Sequence, residues 1–592
     1  MTTQTSTEQL KSIGKRTVWI SAVLVAVLYL YGSLKPVIYD ETEGQYAGAA
    51  KEMLERGDWL IPSNNGVPRF QKPPIQYWLM MGSMKVFGVN EFAARLPNAL
   101  ATLAWLAAVY LLGCRISGPT LGYYAALMLA CACGFFVFCH VIMPEPIFSF
   151  CVTMAIWALL SGWFQRQDRK AVNRWMILAW LFMGFGSMTK GLHAMAWPVA
   201  SVLVAAVLLP SARGYSKALW NVIGIGLFFL ILLPWYVAVE FQFPGFVRDQ
   251  FFNEQIGHAI NQRWPPSSNQ VHFGIYIIQH VFMLCPPMLF LPAALRSAWM
   301  DRAEIETQTK LDHFPLRFLI IWFGVTFLTT LFSARQDYYT MSAWGVWGIV
   351  LAWAWVSRAK IRHWYYTVPF LILCFVGLIL SLGGSWLWLQ DENLTIEVLP
   401  IVERDHLWNA LNGFSLGAWR DFSPLMIGTG LSLFAGSLVA LWWVRLDQIR
   451  LAGISFFALM VIPYLMMVEG FSVKEDYFSL KKTADFLNET AEAEAIVVYS
   501  GYPNLASSLF FYLERNVHWI GVPVEYEYAT RSHDIGREYY LDLDQLKQLW
   551  GETPVYLIAE ESEVEGWTEK LGFDPPDSYP VVSGTRVLIS NQ

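Results

Sequence analysis

The amino-acid sequence predicts a polytopic α-helical membrane protein that ends in a soluble α/β domain. Three observations carry this reading. Of 592 residues, 55% are hydrophobic and only 15% charged, with 28 tryptophans, a balance outside the range of ordinary soluble chains. Apolar runs long enough to cross ~30 Å of hydrocarbon as helices recur throughout the first 470 residues. Residues 471–592 then hold 21 acidic and 9 basic side chains, a balance of −12 against +6 for the rest of the chain.

About thirteen spans are expected, at 17–37, 92–114, 120–138, 147–165, 174–190, 192–210, 219–240, 272–297, 318–334, 339–357, 364–388, 424–444 and 451–469. The first run also has the length of a signal peptide, but no small-residue cleavage site follows it and further spans do, which favours a retained helix. Orientation follows from positive charge. Lys11, Lys15 and Arg16 precede the first span, and RQDRK (166–170), Arg213 with Lys217, RAKIRH (358–363) and Arg445 with Arg450 fall at alternate loops, so those ends are expected in the cytoplasm. Residues 1–16 then form a cytoplasmic N-terminus and 17–470 the membrane domain. Its long loops 38–91, 241–271 and 389–423 face outward, together with an external domain over 471–592. In that last region AIVVYS, PVYLIA and TRVLIS read as strands alternating with helical stretches such as DLDQLKQLW. All seven cysteines lie in or beside the spans, so the tail has none from which to build a disulfide.

Directly after the first span the chain reads YDETEGQYA, which places Asp40, Glu41 and Glu43 within four positions. Tyr46, Ala50, Met53 and Leu54 follow at helical spacing, predicting an amphipathic helix in the interface that ends near Gly57. A turn-rich stretch then leads to Arg69, Lys72, Pro73 and Pro74, so acids and bases are delivered to one membrane surface.

The runs EGQYAGAAKEMLERGDWLIP, RFQKPPIQYW, SMTKGL (187–192), FFNEQIGHAINQR (251–263) and SARQDYYT (333–340) resemble, in order, the integral-membrane glycosyltransferases that use polyprenyl-phosphate sugars. That group includes protein O-mannosyltransferases and, with the stronger resemblance, lipid A aminoarabinose transferases. The resemblance implies a GT-C-like membrane fold in a bacterial inner membrane, with the tail in the periplasm. It also implies transfer of a monosaccharide from a polyprenyl-phosphate donor to a lipid, surface glycan or protein acceptor by inverting displacement.

Displacement at the anomeric carbon of such a donor needs cations on the departing phosphate and a carboxylate near the developing positive charge. Lys72, Arg69, Arg263, Arg335 and Lys190 are the candidate phosphate-binding residues, with Lys72 first because the KP pair of this family's first external loop is associated with the donor phosphate. A snorkelling interfacial lysine is the competing reading of the same residue. Among carboxylates, an ungapped match from Tyr46 puts Glu43 on the Glu, and Thr42 on the Asp, of the family's Asp-Glu pair. Asp40–Glu41 is itself such a pair, displaced by two residues, so Asp40, Glu43 and Glu41 all stay open as the catalytic acid. Glu145 in MPEPIF matches the family's later Asp-Pro acid and is read either as a second site acid or as a helix-dipole partner. Tyr338, Tyr339 and Tyr46 are candidate substrate-binding groups, with an aromatic interfacial belt as the alternative.

In the aminoarabinose transferases a Glu before the KP pair and a His in the later loop are implicated in metal binding; here those positions are Gln71 and Gln255. Neutral amides are poor ligands for a zinc-like ion, so no tightly bound metal is expected, with Glu254 and His258 as the weak alternative. Nucleic acid is not an expected partner. A secondary transporter is the alternative function, but it would place ionisable groups near mid-membrane in broken inverted repeats rather than at one surface.

Overall fold

The computed structural model describes residues 14–592 apart from 259, 261, 265–270, 309–313, 334, 358–360, 391–418 and 524–526. Most of the expected 389–423 loop and part of RAKIRH therefore lie outside the described residues. Helices occupy each of the apolar stretches named above. Among the described residues, seven helices are long and apolar enough to cross a membrane, or nine if two bent pairs, Pro119–Ala130 with Cys133–His140 and Phe273–Met283 with Pro287–Met300, each count as one span. The helices pack around tryptophan and tyrosine side chains that are wholly buried, among them Trp105, Trp163, Trp322, Trp344 and Trp355. Aromatic rings fill interhelical space with few rotatable bonds, which suits a bundle whose outer surface must stay apolar.

The loop after the first apolar helix is ordered. A helix over Thr42–Arg56 ends at Gly57, whose left-handed φ of 67° closes the last turn, as the sequence predicts. A short hairpin follows, β1 (Ser63–Asn64) and β2 (Val67–Pro68), turned by Asn65 and Gly66, both at positive φ. Pro74 then caps a helix over Ile75–Phe87.

The tail forms one six-stranded sheet: β3 (Ile496–Ser500), β4 (Val517–Ile520), β5 (Tyr540–Leu541), β6 (Val555–Glu560), β7 (Val582–Ser583) and β8 (Arg586–Ser590), in the order β5-β4-β3-β6-β8-β7. The first four are parallel, while β8 runs antiparallel to β6 and β7 antiparallel to β8. Alternate residues feed two cores, Val497, Tyr499 and Trp519 on one face and Val498, Ile520 and Leu557 on the other.

The sheet unit docks on the first-loop helix. A Cβ on Gly44 would lie 2.3 Å from the Ser507 backbone, and one on Gly48 2.4 Å from Phe510 Cβ, so the two glycines of EGQYAGAA open the seat for the tail. Phe511 enters the same apolar cluster as Tyr46, Met53, Tyr77 and Met81. The Asn65 side chain pairs with Val517, receiving its N–H at 2.8 Å and donating to its carbonyl at 2.9 Å.

Candidate active site

The acid cluster divides between two structural contacts. Glu43 is buried and accepts from Arg95 twice, at 2.9 Å from Nε and 2.5 Å from Nη2. It also accepts from the backbone N–H groups of Ile142 at 3.0 Å and Tyr39 at 3.1 Å. Arg95 in turn donates to the carbonyls of Pro36 and Val37. Asp40 points the other way, into the tail: Arg586 Nη1 lies 2.6 Å from Oδ2, and the Ser508 N–H donates to Oδ1 at 2.8 Å. Burial raises the Asp40 carboxyl, and Arg586 and the Ser508 hydrogen bonds oppose that rise. Glu41 is the N-cap of the Thr42–Arg56 helix, at φ 62°, with its backbone N–H on Asn504 O at 2.7 Å. Asp40 is thus placed at the seam with the tail and Glu43 at the root of the loop, and neither is among the contacts of Lys72.

The cations converge. The Ile75 N–H donates to Met188 O at 3.3 Å, which ties the KPP turn to SMTKGL and brings Lys72 within electrostatic reach of Lys190. Lys190 Nζ sits 2.6 Å from Glu145 Oε1, 4.7 Å from the Tyr339 ring centroid and 5.5 Å from that of Tyr338. Glu145, the first residue of the helix Glu145–Phe164, is buried, and its Oε2 accepts no hydrogen bond from a described residue. Gly191, at φ 128°, follows Lys190, and a Cβ there would meet the Gln255 amide at 2.7 Å, so only glycine lets the two segments close.

That second segment, Gln250–Gly257, is a π-helix, a wide turn often found where function shapes the backbone. It carries Glu254, whose Oε1 accepts from Arg263 Nε at 2.8 Å. Lys72 lies among Glu254, Arg263, Lys190 and Arg69; burial pulls its ammonium down to about 8, Glu254 opposes this, and the three cations reinforce it. His258 meets Tyr339 OH at 2.8 Å through Nε2, and burial with Lys72, Arg263 and Lys190 drives its imidazole down to about 3, so it is neutral.

Three of the sequence-identified residues have partners elsewhere. Arg69 stacks over Tyr46 at 4.6 Å and donates to Tyr77 OH and to Gln45 Oε1, the latter at 2.6 Å. Arg335 donates to Val271 O at 2.9 Å, bracing its own loop. Tyr338 OH bonds Gln336. The structure also brings in residues the sequence reading passed over: Arg95, Arg586 and Glu527. Arg95 carried a signal, since an arginine near the start of an apolar span needs a buried partner. Glu527 and Arg586 carried none, because their partners are hundreds of residues away.

The side chains weighed as metal ligands have other partners in the structure. Among the described residues no three His, Cys, Asp or Glu groups converge. Glu254 is engaged by Arg263, His258 Nε2 faces Tyr339, and the Gln71 amide donates to Glu527 at 3.0 and 3.2 Å.

A helical membrane bundle with an ordered loop after its first helix, a KPP lysine within electrostatic reach of a second lysine, and an α/β tail seated on that loop has the GT-C architecture. In fold and sequence the chain is similar to GT-C glycosyltransferases that use polyprenyl-phosphate sugars. Residues 12–248 match the family described as dolichyl-phosphate-mannose-protein mannosyltransferase. The chain is 31% identical over 268 residues to undecaprenyl phosphate-alpha-4-amino-4-deoxy-L-arabinose arabinosyl transferase 1 of Pseudomonas fluorescens, a match covering 45% of this chain and 47% of that one. It is 28% identical over 438 residues to the arabinosyl transferase of Pectobacterium carotovorum subsp. carotovorum, covering 69% and 73%. In the first two such matches the chain spans about half the length of its curated relatives, 47% and 51%. The crystal structure of ArnT from Cupriavidus metallidurans bound to undecaprenyl phosphate has the same fold, with a TM-score of 0.78 at 18% identity, covering 98% of this chain and 99% of that one.

Proposed function

We propose that this protein transfers a monosaccharide from a polyprenyl-phosphate donor to a lipid, glycan or protein acceptor at the outer face of the cytoplasmic membrane. The observation that carries the proposal is the convergence of Lys72, Lys190 and Arg263, with Lys190 paired to a carboxylate, Glu145, whose second oxygen accepts no hydrogen bond from a described residue. Lys72, with Arg263 and Lys190 behind it, suits the donor phosphate. In an inverting displacement the acceptor oxygen bonds to the anomeric carbon as the carbon–oxygen bond to phosphate breaks, and the electron pair leaves with the polyprenyl phosphate. Cations fixed at that phosphate oppose the growing negative charge without reorganising. Glu145 Oε2 is the group free to take the acceptor's proton or to face the positive charge on the sugar. Asp40 and Glu43, whose oxygens are already supplied with donors, support the loop rather than the reaction. Tyr339, Tyr338 and Tyr46 form the aromatic wall beside the cations.

The same reading has thirteen spans, the tail in the periplasm, and catalysis without a tightly bound metal. Transfer should continue in chelator, and loss of activity restored specifically by zinc would overturn the last of these. A cysteine at the exposed Glu569 should react with an impermeant maleimide in intact spheroplasts, and labelling only after lysis would reverse the orientation.

The principal test is Lys72→Ala in nanodiscs. Loss of a charge-assisted contact worth roughly 1.5–3 kcal/mol should slow transfer by about one to two orders of magnitude. Lys72→Arg should restore part of it, because a planar fork replaces a compact ammonium poorly. Normal transfer and normal donor binding in Lys72→Ala would remove this assignment. A transporter reading is disfavoured because the ionisable groups gather on the loop side of the helices, on segments that the tail covers.

A further inference from the structure

We infer that the C-terminal unit is part of the donor site: Glu527, acting through Gln71, holds the loop that carries Lys72, so that docking of the tail sets the position of the phosphate-binding ammonium. This rests on the reading of Lys72 given above.

Gln71 faces both ways. Its side-chain amide donates to both Glu527 carboxylate oxygens, at 3.0 and 3.2 Å, and its backbone carbonyl accepts from Lys72 Nζ at 3.1 Å. A displacement of Gln71 therefore moves the acceptor that orients the ammonium. Glu527 stands immediately before the tail helix Tyr528–His533, and that helix is anchored on the two segments that frame the cations. Arg531 pairs with Asp249 at 3.2 Å, just before the π-helix bearing Glu254. The Tyr528 ring lies 6.0 Å from that of Phe70, next to Gln71, and its hydroxyl reaches Pro244 O at 3.4 Å. The His533 ring packs against Phe243 at 5.4 Å.

Seating of the tail has separate supports in Asp40–Arg586, Asn65–Val517 and the Gly44–Gly48 groove. Glu527 is a further contact at that seam, and a half-buried carboxylate there carries a desolvation cost that an apolar side chain would avoid. Its burial raises the carboxyl, against the lowering effects of Arg69 and Gln71. The residue is thus a positioning group for Lys72, contributed by the domain farthest from it in sequence.

The test uses the full-length protein in nanodiscs with undecaprenyl phosphate as the probe, binding being followed by native mass spectrometry and stability by thermal melting. Glu527→Ala should weaken binding about tenfold, the scale of one hydrogen bond to a charged group, without a matching loss of stability. Glu527→Gln, whose amide oxygen still accepts from Gln71, should lose less and serves if the alanine variant folds poorly. In a Lys72→Ala background, Glu527→Ala should add no more than about twofold, because its effect passes through Lys72. Wild-type affinity in Glu527→Ala, or a loss that adds in full to that of Lys72→Ala, would overturn the inference while leaving the donor reading intact. Unchanged binding in Lys72→Ala itself would remove the donor reading.

Discussion

Asp40 and Glu43 bury their charges against full sets of hydrogen-bond partners, whereas Lys72, Lys190 and Glu145 hold theirs against incomplete ones. Both groups lie on the same side of the helices and both contain residues the sequence marks as candidates. The difference is in what each charge has left over. Glu43 receives four hydrogen bonds from Arg95, Ile142 and Tyr39, and Asp40 is closed by Arg586 and Ser508. Such groups hold a loop rigid and have little capacity for a ligand. Glu145 keeps one oxygen without a described donor, and Lys72 is destabilised as a cation first by burial and then by Arg263, Lys190 and Arg69, with Glu254 opposing. A phosphate dianion would relieve that imbalance, which is what a site poised for an anion requires.

This contrast can be broken most severely at the locked side. Glu43→Ala leaves Arg95 buried without its counter-ion and should destabilise the protein by about 3–5 kcal/mol, read as a lower melting temperature in detergent. An unchanged melting temperature would show that Glu43 is not a structural lock. Glu145→Gln is its counterpart on the open side: transfer should drop by roughly two to three orders of magnitude while melting shifts little, and normal turnover would move the reaction-centre carboxylate elsewhere. Gly44→Ala should cost about 1–3 kcal/mol through its clash with the Ser507 backbone and raise hydrogen exchange across β3 and β4, the strands beside that seat. Unaltered exchange would separate the glycines from docking.

The smallest effect concerns pH. Lys72 is lowered from 10.5 to about 8, so in the free protein it is cationic below about 8 and neutral above. A phosphate monoester is already dianionic above its second pKa of about 6, so undecaprenyl phosphate should bind with near-constant affinity at pH 7–8. Above that, binding must take up a proton, and affinity should fall by up to about tenfold per pH unit. The stability sign is opposite: the unfolded lysine keeps its proton to 10.5, so this group's contribution to stability rises with pH between about 8 and 10.5. Affinity independent of pH across 8–9.5 in wild type would show that Lys72 does not contact the phosphate.

Much of the site's membership was legible in the chain, and its geometry was not. KPP, TKG and the tyrosines of RQDYY were recognisable because each needs unusual residue types at adjacent positions. Their convergence is a tertiary fact, made by one backbone bond from Ile75 to Met188 and by the close approach of Gln255 to Gly191. Glu254 and His258 read as neighbours on an α-helix, yet the π-turn changes their relative direction and each takes a different partner.

Apolar run length and local composition determined by themselves that the chain is a helical membrane protein with an acidic α/β tail, because hydrocarbon thickness and the strand period act within a few consecutive residues. Which acid of the 40–43 cluster is locked, and that the tail supplies Arg586 and Glu527 to the first loop, only the tertiary structure decided. A buried charge is defined by the partner that compensates it, and here that partner stands 52 residues from Glu43 but more than four hundred residues from Asp40 and from Gln71.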